Sequence, residues 1–445
     1  MPEERANERQ KADPVAISGL GIGQRNIDEP SLLSQVLTIV AEECGIDQGE
    51  LADLISFADL EVDSLMQLAI SSRIREELLL EISSSLFINN PTVGSFKSYI
   101  RSLNDDKIPK YADESVSSTT ASHCKRNPSS IFSVIDDTIL STEDIENWET
   151  NNLDHQDEKK YLSLPQSLAK VSHPSISPTL TPDKHATSFL LQRSPRTATK
   201  MLFLFPDGGG SATSYTQIPD LSTNIAVYGL NSPFMTTPEE YTCGVSGMAQ
   251  YFIQEIRRRQ ERGPYNIGGW SAGGVIAFEG TRQLIKSGEN VDRLILLDAP
   301  CPLTIEPLPG TLHQWFNTIG LLGDGSAAKT PPWLLPHFQA SINALSTYDF
   351  RAIDSAKAPS TYIIWCEDGV CKYPDDPRPD PYPYGHAQFL LENKEDFGPQ
   401  LWDALLGFQN IKIFRTSGNH FTMMKTPFAE QVGDAIRQAF ARVHE

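Results

Sequence analysis

Gly269-Trp270-Ser271-Ala272-Gly273 sets a serine between two glycines, with an apolar opening before it (Tyr265-Asn266-Ile267) and a helix-like run after it (Val275 to Leu284). A serine at the apex of such a strand-turn-helix sits in strained backbone, and its glycine neighbours must pass close to each other without Cβ atoms. The helix that follows aims its first N–H groups at the place where negative charge develops during acyl transfer. The pentapeptide predicts a nucleophile, set against the plainer reading of a tightly packed turn.

A nucleophilic serine needs a base, and the base needs an acid to hold its tautomer. Asp298 ends the apolar run Leu294–Leu297, 27 residues after Ser271, and His420 follows the late run Ile411-Lys412-Ile413-Phe414. The order Ser, Asp, His is the one α/β-hydrolases use. Glu367 and Asp368, after Thr361–Trp365, are the rival acids. His337 and His386 are the less favoured histidines, because they fall in irregular or lid-like segments. Each residue alone has a structural reading: the Asp can cap a loop and the His can be a core residue. An oxyanion site is expected from the N–H of Ala272 and one from the Gly208-Gly209-Gly210 loop, Gly208 being the candidate. That loop lacks the Lys-Ser/Thr ending of a phosphate-binding loop.

The elements that must position these residues are legible around them. Lys200–Phe205, Ile225–Leu230 and Leu294–Leu297 read as buried strands alternating with helices near Gly244–Arg259 and after Ser271. Such a pattern predicts a parallel sheet covered on both faces, with reactive groups at the carboxyl ends of its strands. Residues 301–350, rich in Leu, Trp and Phe, read as two or more helices forming a lid. A lid would shield the serine from water. No role is assigned to the Pro- and Asp-rich loop Tyr373–Tyr384.

A different pattern occupies the first hundred residues. Helical spacing starts at Ser31 and ends near Gly45, resumes at Asp63 or Ser64, and returns after Pro91, which predicts a bundle of three or four helices. Ser64, in Val62-Asp63-Ser64-Leu65, stands at a helix N-terminus. Capping alone would explain Asp63 and Ser64. The same place also suits a phosphodiester. Between the halves, Ser, Thr, Pro, Asp and Asn dominate and periodicity lapses, as in a disordered tether. Some 80 such residues would span on the order of 50 Å.

Composition narrows the function. A formal net charge of −20 over 445 residues argues against nucleic acid and anionic membranes as partners. The six cysteines (44, 124, 243, 301, 366 and 371) show no metal-site or disulfide spacing, so free thiols and no metal are expected. No run is long enough to span a membrane and the N-terminus lacks an apolar signal core, so a cytoplasmic location is expected.

Phe57-x-x-Leu60-x-Val62-Asp63-Ser64-Leu65-Met66 resembles the attachment site of acyl carrier domains, especially those of fungal non-reducing polyketide synthases. Those usually carry Gly where this chain has Glu61. The second half resembles the thioesterase domains of the same synthases in Phe205-Pro206-Asp207-Gly208-Gly209-Gly210, Val227–Asn231, Gly269–Gly274, Leu297–Pro300 and Gly418–Phe421. The resemblance implies a Ser271, Asp298 and His420 triad and a 4′-phosphopantetheine on Ser64, placed there by a phosphopantetheinyl transferase. It also implies a polyketide thioester as substrate, and polyketide synthase catalytic domains, on this or another chain, as partners. Release by Claisen-type (Dieckmann) cyclisation, where an enolate carbon attacks the serine ester, is expected; hydrolysis to a free acid and general serine esterase activity are the alternatives. A catalytically silent carrier and docking module is a further rival.

The expected architecture is multidomain. A flexible segment (1–30) precedes an all-α carrier bundle (31–104) and a disordered linker (105–195). An α/β-hydrolase thioesterase with a helical lid (196–443) follows. The chain is read as the tail of a larger synthase or a free-standing protein acting in trans.

Overall fold

The structure is a computed structural model, and it describes residues 30–83, 85–105, 180–306, 308–322, 331–383, 385 and 387–441. The expected loose N-terminal segment, most of the expected linker, and His386 lie outside these residues.

The first helices begin and end where their caps dictate. Ser31 accepts the Ser34 N–H at the start of α1 (Leu32–Cys44), and Gly45 closes that helix in the left-handed region. Asp63 accepts the Met66 N–H at the start of α2 (Ser64–Glu77). A short α3 (Leu86–Asn89) and α4 (Val93–Asp105) complete the bundle. Apolar residues at helical spacing, Val36 and Val40, Ile70 and Ile74, Phe96 and Ile100, form one core. Phe57 packs edge-on against Phe87 and Phe96, with ring centroids 4.8 and 5.4 Å away. Glu61, in the loop before α2, holds a φ of 56°. The glycine that the resembling carrier domains usually have there would adopt this backbone without strain.

Seven strands follow: β1 (Thr187–Gln192), β2 (Lys200–Phe205), β3 (Ile225–Asn231), β4 (Tyr265–Trp270), β5 (Val291–Leu297), β6 (Ser360–Asp368) and β7 (Ile411–Asn419). They lie in the order β1-β3-β2-β4-β5-β6-β7. All neighbours are parallel except β1, which runs antiparallel to β3 at the edge. This corrects the linker, expected to reach residue 195, because β1 lies within it. Six residues of which only Ser188, Leu190 and Leu191 are buried do not stand out beside Ser- and Pro-rich neighbours.

Helices cover both faces of the sheet. α5 (Gly244–Arg259) and α6 (Ala272–Lys286) take one face, where Phe205 meets Phe252 at a ring separation of 4.8 Å. Leu202 and Leu204, alternate on β2, point the other way and join Val432 and Ile436 of α11 (Ala429–Phe440). Above the carboxyl ends lie α7 (Gly310–Thr318), α8 (Leu334–Ser346), α9 (Gln388–Leu391) and α10 (Trp402–Leu406). Tyr382, from the loop given no role, packs with Leu312 and Phe316 of α7. Among the described residues no helix is long and apolar enough to cross a membrane, and Cys44, Cys243, Cys301, Cys366 and Cys371 are free thiols.

Candidate active site

Ser271 links β4 to α6 with φ 58° and ψ −127°, a strained conformation for a residue with a side chain. The turn is held from all sides. The Ser271 N–H donates to the Leu297 carbonyl at 3.0 Å, and Gly274 N–H donates back to Ser271. A Cβ on Gly269 would lie 2.3 Å from the Gly273 backbone, and one on Gly273 would lie 2.3 Å from the Phe205 carbonyl oxygen. Tyr215 adds a brace that connects strands: its hydroxyl accepts the Trp270 N–H at 2.9 Å and donates to the Phe205 carbonyl.

Ser271, His420 and Asp298 are brought together although they come from the ends of β4, β7 and β5. His420 Nε2 lies 2.9 Å from Ser271 Oγ, and its Nδ1 lies 2.7 Å from Asp298 Oδ2. Asp298 accepts only, so Nδ1 carries a proton and Nε2 is the ring atom that faces the serine hydroxyl. Neither rival acid has a side-chain bond to His420. Asp368 pairs with Lys372 at 2.9 Å, and Glu367 is joined to this region through its backbone carbonyl, which accepts the Lys394 N–H.

Asp298 has further partners that the sequence did not suggest. Lys394 Nζ stands 2.8 Å from its Oδ1, the Cys366 thiol donates to Oδ2 at 3.0 Å, and the Cys366 N–H donates to Oδ1 at 3.2 Å. Burial alone would push this carboxyl up; the Lys394 ammonium, and after it His420, reverse the effect and hold it well below the usual carboxylate range. Burial pulls the Lys394 ammonium down, but Asp298 more than offsets this and keeps it charged. Lys394 sits in the polar stretch Glu392-Asn393-Lys394-Glu395-Asp396, and nothing local sets it apart from a surface lysine.

The glycine loop is fixed by the lid. The Gly209 N–H is taken by the Asp207 carboxylate at 3.2 Å and the Gly210 N–H by the Asp207 carbonyl at 2.9 Å, while Gly208 lines the main cavity with Ser271 and Ala272. On α8, His337 Nδ1 donates to the Gly208 carbonyl at 2.9 Å, Ser341 Oγ donates to the same oxygen at 3.0 Å, and His337 Nε2 accepts the Ser232 hydroxyl at 2.8 Å. Burial keeps His337 on the neutral side of its ordinary value. The loop has no side chains because α8 fills their space: a Cβ on Gly208 would meet Phe338 at 2.8 Å, and one on Gly210 would meet His337 at 2.4 Å. Burial also pushes the Asp207 carboxyl up, to about 7. Nothing local in the sequence marks His337; only its tertiary partners give it a place beside the site.

The cavity over Ser271 has a volume of about 380 Å³ and is walled by Phe338, Ile342, Leu345, Phe389 and Phe421, with Lys394 also in its lining. An apolar chamber with a few polar groups is the usual make-up of a small-molecule site.

Away from this chamber, Ser64 is exposed as the first residue of the 14-residue α2, whose leading N–H groups have no partners within the helix. An exposed hydroxyl at that place fits a phosphodiester, since the helix dipole favours its charge.

Comparison with known proteins gives two family matches: a phosphopantetheine attachment site over residues 34–100 and a thioesterase domain over residues 200–316. The chain is 41% identical to the conidial pigment polyketide synthase PfmaE of Pestalotiopsis fici over 95% of its length and 24% of the relative's. It is 39% identical to the non-reducing polyketide synthase Preu8 of Preussia isomera, covering 92% of this chain and 23% of that one. The conidial yellow pigment polyketide synthase of Emericella nidulans matches at 37% identity, with the same coverage of 92% and 23%. The chain thus spans about a quarter of the length of the curated relatives it matches. Among solved structures, the NocB thioesterase domain in complex with a fluorophosphonate nocardicin G analogue aligns at 19% identity and a TM-score of 0.44, over 58% of this chain and 100% of that one. The chain thus carries a phosphopantetheine attachment domain followed by a thioesterase domain, and along nearly its whole length it is homologous to fungal non-reducing polyketide synthases.

Proposed function

We propose that the chain receives a polyketide on its carrier domain, transfers it to Ser271 and releases it by Claisen-type (Dieckmann) cyclisation. The reading is carried by one observation: Ser271, His420 and Asp298 form a hydrogen-bonded line that opens into a lidded apolar chamber. The carrier domain is taken as residues 31–104, and the thioesterase as starting ahead of Thr187, so that β1 belongs to it. A 4′-phosphopantetheine group on Ser64, attached by a phosphopantetheinyl transferase, supplies the thiol that carries the acyl chain. The other catalytic domains of a polyketide synthase would build that chain.

In the first step His420 Nε2 takes the Ser271 proton as Oγ attacks the acyl carbonyl. The N–H groups of Ala272 and Gly208 hold the resulting oxyanion. The thiol leaves with the proton from His420, and Asp298 stabilises the imidazolium between the two transfers. In the second step His420 removes a proton from a carbon between two carbonyls, and that carbon attacks the serine ester. Collapse of the adduct expels the Ser271 alkoxide, which regains its proton from His420. Hydrolysis uses the same groups, with water in place of the carbon nucleophile. The apolar lining around Ser271 favours the route that needs no water.

The test is to incubate the protein with a synthetic polyketide thioester and separate cyclic product from linear acid by liquid chromatography and mass spectrometry. Cyclic product is expected. Linear acid alone would replace cyclisation by hydrolysis, and failure of a fluorophosphonate probe to label Ser271 would favour a silent docking module. After co-expression with a transferase, the Ser64 peptide should gain the cofactor mass; without that gain, a general esterase becomes the better reading.

A further inference from the structure

β1 is the antiparallel end of the sheet, so one row of its backbone groups has no neighbouring strand. Two arginines of α5 close the first part of that row: Arg258 donates to the Ala186 carbonyl at 3.0 Å and Arg259 to the Ser188 carbonyl at 3.1 Å. The next groups are closed from the other domain. Leu190 N–H donates to Ser72 Oγ at 2.8 Å, and Arg75 donates to the Leu190 carbonyl at 3.0 Å. Both side chains belong to α2 of the carrier, the helix that begins with Ser64.

Around these two bonds the contact extends in both polar and apolar directions. Glu76 pairs with Arg259 at 3.0 Å, and Glu81 accepts the Ser194 N–H at 3.1 Å. Leu68, 4% exposed, joins the thioesterase core cluster that contains Tyr215, Ile218 and Leu221. Arg75 itself is 2% exposed and also donates to the Ile82 carbonyl at 2.9 Å, so it joins a carrier carbonyl to a thioesterase one. A guanidinium is expensive to bury, and one stem held by carbonyls on both domains is not how a loosely tethered module is built.

We propose that the free edge of β1 is a docking site for the chain's own carrier domain, engaged through Leu68, Ser72, Arg75 and Glu76 of α2. Ser64 stays exposed in this docked state, so the dock leaves the attachment hydroxyl open while it holds the carrier beside the thioesterase. The long connector then limits how far the carrier strays on release rather than setting its position alone. This inference rests on the two domains and is independent of how the acyl chain is released.

Hydrogen exchange of the full-length chain tests it, with fragmentation that isolates the Leu190 amide. Two variants are compared with wild type: Arg75→Ala, and Glu76→Ala, whose side chain is partly exposed and lies outside the carrier core. In both, the Leu190 amide should exchange at least 10-fold faster. The β2 and β3 amides and those of Val40 and Ile100 should keep their protection. Unchanged exchange at Leu190 in both variants, with the carrier amides protected, would overturn the dock. If Arg75→Ala unfolds the carrier, Glu76→Ala decides alone: faster exchange supports the dock and unchanged exchange refutes it.

Discussion

Lys394 Nζ lies 2.8 Å from one oxygen of Asp298 while His420 Nδ1 lies 2.7 Å from the other, so one buried carboxylate serves a cation and an imidazole together. Removing the cation leaves the carboxylate's charge uncompensated in the interior. Lys394→Met should therefore destabilise the protein by about 3–5 kcal/mol. Lys394→Met combined with Asp298→Asn should recover much of that, because the orphaned charge is gone. Urea denaturation midpoints at pH 7 measure both. The sign with pH follows from the depressed Asp298 value: the stabilisation is present above the unfolded carboxyl's value near 4 and is lost as pH falls through the lower folded value.

Replacement of the three aligned side chains should separate chemistry from folding. Ser271→Ala should lower release by about 10⁶-fold with an unchanged melting curve for the α/β domain, and Asp298→Asn by about 10⁴-fold with a lower melting temperature, since it leaves the Lys394 ammonium without its partner. Single-turnover release from a thioester substrate is the measurement. A residual rate within 10-fold of wild type for Ser271→Ala would remove the nucleophile assigned here.

His337 steadies the Gly208 carbonyl from α8 without touching Ser271. His337→Ala should cost about 10²-fold in kcat through misplacement of the glycine loop, with KM changed little. His337→Asn, which keeps a donor, should restore part of the rate. A loss confined to KM would make His337 a chamber-wall residue only.

Asp207 offers a pH signature. Its folded value, about 7, lies above the unfolded value, so the folded state binds more protons between pH 4 and 7 and stability falls as pH rises through that window. The full span is at most about 4 kcal/mol, reduced by the side chain's partial exposure. Asp207→Asn should lose this slope. Comparison of urea midpoints for the two proteins at pH 5 and pH 8 gives the difference directly.

Glu61 holds a left-handed backbone at the turn before α2. Glu61→Gly should stabilise the carrier by about 1 kcal/mol, read as a rise in the melting temperature of the bundle. A neutral or destabilising outcome would mean that the Glu61 side chain offsets the strain.

What the sequence showed, and what it hid, divides along local and tertiary lines. Ser31, Gly45 and Asp63 are caps, and a cap is a local event within one turn of chain. Ser271, Asp298 and His420 each follow an apolar strand, so strand ends and chain order sufficed to name them. Lys394, Cys366 and His337 reach their partners only through the folded lid and sheet, and no spacing encodes that. β1 escaped notice for a related reason, since an edge strand is half exposed and its worth lies in what borders it.

α8 has a consequence for cargo security. The same helix supplies Phe338 and Ile342 to the chamber wall and two donors to the Gly208 carbonyl, so on the proposed reading the wall and the oxyanion grip are one mechanical part. On that reading, a molecule with this wall swung aside would admit water and, in the same motion, slacken the oxyanion site proposed at Gly208. Premature spillage of the proposed serine ester would then be restrained by a machine that is least competent when it stands open.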